Sequence, residues 1–124
     1  MFLHTSIVLH VRDLSRSLAL YEGLMGVAPE RLSPTFASMP LPSGGILEFW
    51  QRDAVDPAPA SEPGGFDLTF SVADADTLGR LHAAWRDAGL TVLLPPRDRI
   101  FGRTVVMADP DGHRLRINAP ARAS

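Results

Sequence analysis

The chain carries one pattern twice, and the repeat limits what it can fold into. Ile7 to Asp13 reads Ile-Val-Leu-His-Val-Arg-Asp, and Asp67 to Asp74 reads Asp-Leu-Thr-Phe-Ser-Val-Ala-Asp. Both segments end in Val-x-Asp and run into an amphipathic stretch closed by glycine, Gly26 in the first copy and Gly89 in the second. A second pair of marks follows. Pro42-Ser43-Gly44-Gly45 leads into Ile46-Leu47-Glu48, and Pro110-Asp111-Gly112 leads into His113-Arg114-Leu115-Arg116. A fold assembled from two copies of one unit is expected to place its site where the copies meet.

Local chemistry gives each copy the order β-α-β-β-β. Residues 5–12 are β-branched or apolar with weak alternation, as in a strand. Asp13 is a good helix N-cap, Leu14, Leu18, Tyr21, Leu24 and Met25 recur at helical spacing, and Gly26 suits the left-handed position after a helix. Strands are predicted around 27–32, over 34–39 and over 46–51. Arg52 to Gly65, rich in Pro, Ala, Gly and Asp, reads as a linker. In the second copy, strands are predicted over 66–72, 91–94, 104–108 and 113–118. A helix capped by Asp74 or Asp76 presents Leu78, Leu81, Trp85 and Ala88 on one face. The Asp109-Pro110-Asp111-Gly112 segment is turn chemistry, with proline fixing φ and glycine permitting a positive φ.

The expected architecture is therefore α+β. Two βαβββ modules, 1–52 and 66–120, flank a linker at 53–65, and 121–124 form a frayed tail. Their sheets would form one curved surface around a central cleft with the helices outside.

Composition excludes several function classes. At 124 residues the chain suits one domain or two half-domains, and with no cysteine it has no disulfide or thiolate chemistry. A net charge of -2 without a dense basic block argues against nucleic acid. No apolar run approaches the roughly 18 residues of a membrane span. The first residues do not read as a signal peptide, so a cytoplasmic location is expected. Every basic residue is arginine, a planar, permanently charged fork.

The marks Val11-Arg12-Asp13-Leu14 with Ser17 and Tyr21, then Phe101-Gly102-Arg103-Thr104, then Asp109-Pro110-Asp111-Gly112-His113-Arg114-Leu115, taken in this order with the repeat, resemble the vicinal-oxygen-chelate superfamily. It includes glyoxalase I, fosfomycin-resistance enzymes, extradiol dioxygenases and bleomycin-binding proteins. The segments Ser33 to Ala37 and Gly102 through Arg116 are similar to its branch that sequesters phenazine-type antibiotics. The resemblance implies a homodimer, often with modules exchanged between chains. In the metalloenzymes of the superfamily, four side chains, usually two histidines and two glutamates, hold one divalent ion. Carried onto this sequence, those positions are Ser6, Asp67, Glu48 and Arg116. A guanidinium has no lone pair to give a metal and repels it. The expectation is a chain without metal or other cofactor, in which Arg116 pairs with Glu48, Asp67 or both. A shifted metal site built from His4 or His10 with Glu48 is the conceivable rescue.

Strand parity selects the residues expected to line the cleft. Ser6, Val8 and His10 come from the first strand, and Asp67, Thr69 and Ser71 from its counterpart. Phe36 and Ser38 correspond to Thr104 and Val106, and Glu48 and Trp50 to Arg116 and Asn118. Trp50 either stacks on a ligand or fills the interior, and Phe101 either closes over the ligand or merely packs. Trp85 is expected in the core, with His82 and His113 solvated. Asp13 and Asp74 are caps and Asp109 and Asp111 turn formers, so none of these is a catalytic candidate.

The function expected is a metal-free protein that sequesters a small aromatic compound, with no catalytic residues. Trp50 would take the ring, and Arg116 or Arg103 a carboxylate. The alternatives are a divalent-metal lyase, isomerase or dioxygenase of the glyoxalase type, and a metal-free enzyme with His10 or Asp67 as general base.

Overall fold

A computed structural model of the chain describes residues 1–121. Their arrangement is α+β, with two four-stranded sheets, each backed by a helix. The chain divides into two compact units, Met1–Ser61 and Glu62–Ser124, and the division falls inside the Pro- and Ala-rich linker. Of the expected frayed tail, residues 122–124 lie outside the described residues.

The first unit runs β1 (Ser6–Val11), α1 (Leu14–Met25), β2 (Glu30–Ser33), β3 (Phe36–Pro40) and β4 (Ile46–Gln51), ending in a short 3-10 turn, Arg52–Ala54. Its sheet has the order β1-β4-β3-β2, with β1 parallel to β4 and the other pairs antiparallel. The Asp13 carboxylate accepts a hydrogen bond from the Arg16 amide at 3.0 Å, which starts α1. Gly26, at φ 68°, ends it by donating its N–H to the Glu22 carbonyl. Alternation along the strands places Leu9, Val11, Ala37, Met39, Leu47 and Phe49 on the face covered by α1. There they pack with Leu14, Leu18 and Tyr21, and the Tyr21 and Phe49 rings meet edge-on at 4.9 Å.

The second unit repeats this plan with β5 (Asp67–Ser71), α2 (Ala75–Asp87), β6 (Thr91–Arg99), β7 (Gly102–Ala108) and β8 (Arg114–Pro120). Its sheet order is β5-β8-β7-β6. Leu68, Val105, Met107, Leu115 and Ile117 pack with Leu78 and Trp85, and Phe70 lies edge-on to Trp85 at 5.8 Å. The registers confirm the internal repeat. Ser6 stands beside Ile46 as Asp67 stands beside Arg114, and Val8 beside Glu48 as Thr69 beside Arg116.

Two details differ from the expectations. The strand predicted over 91–94 continues to Arg99, through Pro95 and Pro96. Because β6 is an edge strand with register shifts, prolines there need not break a sheet hydrogen bond. His113, expected in solvent, is buried at 5% exposure. The turn folds inward around Asp109, whose Oδ1 accepts hydrogen bonds from the amides of Asp111 and His113, both at 2.9 Å. Pro63 and Gly64 lie against Gly112 on the same turn.

The α2 cap carries a testable pH dependence. The backbone N–H of Thr77 donates to Asp74 at 2.8 Å and its hydroxyl at 2.7 Å. The backbone hydrogen bond first, then the hydroxyl, holds the Asp74 carboxyl below the ordinary carboxylate range. A folded pKa below the unfolded one contributes stability that is full above the unfolded value and is lost as pH falls through the folded value. Asp74→Asn keeps a capping oxygen but does not titrate. The expected result is a shallower acid limb for the variant when urea midpoints are measured against pH. Superimposable limbs would rule out this contribution.

Candidate functional site

In each unit the sheet face turned away from the helix gathers most of the residues selected by parity. In the first unit they fall in two register rows. His10, Trp50 and Phe36 stand side by side across β1, β4 and β3, and Val8, Glu48 and Ser38 form the row beside them. The ring of Trp50 meets His10 edge-on at 6.5 Å and Phe36 edge-on at 6.0 Å, with interplanar angles of 78° and 87°. Edge-to-face pairs of this kind contribute about 0.5–1.5 kcal/mol beyond their buried area. All three rings are half-buried, as are Ser6, Ser38 and Glu48. The face therefore combines aromatic surface with two hydroxyls and one carboxylate.

The corresponding face of the second unit is polar and bonded to itself. Asp67 is gripped by two arginines. Arg116 Nε donates to Oδ2 at 3.0 Å, and Arg114 Nε stands 2.7 Å from Oδ1. Arg116 Nη1 also donates to the Thr104 hydroxyl at 3.1 Å, and that hydroxyl donates to Asn118 Oδ1 at 2.7 Å. Thr104 and Val106 are buried beneath this web, and Thr69 at its edge is exposed. Of the partners expected for Arg116, the structure assigns Asp67.

Two further expected ligand contacts, which strand parity did not select, lie off these faces. Arg103 pairs in register with Ala119, on the helix side of β7, and its guanidinium binds Asp98 at 3.0 Å. It points to the opposite side of the sheet from Thr104. Phe101 sits in the turn between β6 and β7, 54% exposed. The residue that sequence reasoning missed is Arg114. It lies two positions before Arg116 in the same strand, so the same period-two count would have reached it.

The Glyoxalase/Bleomycin resistance protein/Dioxygenase superfamily model matches residues 3–117. The chain belongs to this superfamily. An Agrobacterium tumefaciens protein solved by solution NMR is 35% identical, with a TM-score of 0.88 over 98% of this chain and 100% of that one. A glyoxalase-related enzyme from Fulvimarina pelagi is 27% identical, with a TM-score of 0.82 over 95% of this chain and 88% of that one. The phenazine antibiotic resistance protein EhpR of Enterobacter agglomerans is 22% identical over 114 residues, 89% of this chain and 86% of its own length.

Superfamily membership raises the question of a divalent ion, and the residues do not fit one. At the two ligand positions of the second unit stand Asp67 and Arg116, already joined as an ion pair, and Arg114 covers the other carboxylate oxygen. A metal there would have to displace two fixed cations. At the two positions of the first unit, Ser6 offers a hydroxyl and Glu48 a carboxylate. Among the described residues, no three His, Cys, Asp or Glu side chains gather closely enough to hold a metal ion. No helix of the described residues is long and apolar enough to cross a membrane.

Proposed function

We propose that this protein binds and sequesters a small, flat aromatic compound of antibiotic-like character in the cytoplasm, and that it does so as a metal-free homodimer. The observation that carries the proposal is the His10–Trp50–Phe36 row, three half-buried rings side by side on the sheet face opposite α1. A row of ring edges and faces suits a planar guest, which can lie along Trp50 while the indole N–H donates a hydrogen bond. Ser6, Ser38 and Glu48 supply polar contacts at the border of the rings. On the second unit, Asp67, Thr69 and Arg116 form a separate polar surface over the buried Thr104 and Val106. Phe101 and Arg103 are left out, because one sits in a turn and the other points to the helix side of its sheet. A 22% identical relative carries the name of a phenazine resistance protein, and a phenazine is a flat, fused three-ring aromatic.

Titration with phenazine and a panel of planar aromatic acids tests the proposal. Trp50 is the only half-exposed tryptophan, since Trp85 is 4% exposed, so quenching reports on the proposed surface. At least one compound is expected to quench fluorescence saturably. Trp50→Ala should weaken its binding, measured by calorimetry, about tenfold or more, the loss of about 1.4 kcal/mol or more typical of an aromatic anchor. If no compound produces heat or quenching, the reading fails. If Trp50→Ala binds as tightly as the parent, the ring row is not the binding surface.

A further inference from the structure

The open face of the first unit carries charge beside its rings. The ring row continues onto β2 as His10–Trp50–Phe36–Ser33. Next to it lies Val8–Glu48–Ser38–Glu30, and beyond that Ser6–Ile46–Pro40. These rows hold two acids and no arginine. Arg31 pairs in register with Ala37 and so turns to the helix side, where it donates to the Ser15 hydroxyl and the Pro34 carbonyl, both at 3.0 Å. His10 is the one basic side chain within the rows, and His4 is exposed ahead of β1. Arg12 and Arg52 follow His10 and Trp50 by two residues, past the ends of β1 and β4. The ring row therefore lies between them and the Glu48 row along both chain segments. The two arginines line a separate hollow with Asp53, Ala58 and Pro59, and Arg52 donates to the Ser61 carbonyl at 3.4 Å.

Glu48 is half-buried, and among the described residues it makes no hydrogen bond or ion pair. Asp67, the acid on the corresponding face of the second unit, is by contrast held by two arginines. A carboxylate partly withdrawn from water is unfavourable until a cation or donor meets it. Trp50 stands two residues along the same strand on the same side, about 7 Å away by strand geometry. The face of an indole or benzene ring also attracts positive charge, through its quadrupole. The carboxylate and the rings thus favour the same sign of ligand.

Resting on the aromatic-binding reading above, we propose that Glu48 determines specificity at the ring row and selects planar aromatic cations, such as N-alkylated nitrogen heterocycles, over uncharged or anionic rings of the same shape. The ring system lies along Trp50, and its charged nitrogen is directed to Glu48. Glu30, exposed two strands away, adds attraction at longer range. Arg12 and Arg52 repel the charged end and so fix the direction in which the ligand lies. Every residue in this arrangement belongs to the first unit.

Calorimetric titration of the full chain with 10-methylacridinium and acridine, which share a ring system and differ in charge, decides the matter. At about pH 8, above the ordinary pKa of histidine, His4 and His10 add no charge. The cation is expected to bind about tenfold more tightly than acridine, which corresponds to 1.4 kcal/mol. Glu48→Gln should cut that ratio about threefold or more, to the preference the rings alone supply. Raising sodium chloride from about 20 to about 500 mM should also shrink the ratio, in a protein where no variant's folding is at issue. Equal binding of the two compounds, or tighter binding of acridine, overturns the charge proposal and leaves the aromatic reading standing. Failure of both to bind removes both readings. A ratio unchanged by Glu48→Gln, or unchanged by salt, shows that the charge is read elsewhere and also overturns the proposal.

Discussion

Phe49→Ala lowers the unfolding free energy by about 3–5 kcal/mol, the range for truncating a buried aromatic side chain. Phe49 is 0% exposed at the centre of β4 and meets the Tyr21 ring of α1 at 4.9 Å. The substitution removes the transfer energy of a large side chain and leaves a cavity beneath the helix. It also deletes an edge-to-face pair worth about 0.5–1.5 kcal/mol within that total. A domain with 5–15 kcal/mol of stability, as is typical, cannot lose this much without a marked fall in its urea midpoint. Phe49→Leu, which keeps an apolar side chain there, should cost clearly less. A midpoint for Phe49→Ala within experimental error of the parent would mean that α1 and its sheet are not held together here.

Gly102→Ala is the second large effect, and its cause is backbone rather than cavity. Gly102 begins β7 at φ +139°, a conformation that side chains rarely adopt. A Cβ at this position would collide with the Ala119 carbonyl oxygen and crowd the Ala121 nitrogen at 3.0 Å. Backbone atoms of a paired strand cannot step aside as a flexible side chain can. Strain of about 1–3 kcal/mol from the dihedral and a similar amount from overpacking predict a total loss of about 2–6 kcal/mol. Gly23→Ala provides the contrast. It lies within α1 with no atom within 4 Å of the added methyl, so the same change should stabilise the protein by about 0.5–1 kcal/mol. Equal effects at the two positions, measured by the same denaturation, would refute the close approach of β7 and β8.

The fold was legible in the sequence wherever local chemistry and the repeat agreed. Asp13 and Asp74 cap their helices, Gly26 ends α1, and period-two alternation separates Leu47 and Phe49 from Glu48 and Trp50. Legibility failed where a residue's role depends on its neighbours in space. Pro95 and Pro96 argue against a strand unless that strand is known to lie at an edge. The burial of His113 follows from a turn whose amides converge on Asp109, which a count along the chain does not reveal. Of the candidate site, Asp67 is among the partners expected for Arg116, whereas Arg103, expected as the alternative carboxylate contact, is turned by strand parity to the helix side of β7. Arg114 is not among the expected site residues, because the ligand position implied by the resemblance falls four residues beyond Gly112, on Arg116, although the Arg114 side chain meets the same carboxylate.

The matching registers of the two sheets let the two halves be compared residue by residue. Where the first unit sets His10, Trp50 and Phe36 in one row, the second sets Ser71, Asn118 and Thr104, and Ile46 in one corresponds to Arg114 in the other. The buried residues at the centre of the helix side stay apolar in both halves, so packing and the chemistry of the open face are carried by alternate residues of the same strands. In a repeated scaffold of this kind, residues on the open face of one half can change without disturbing the packing plan that both halves share.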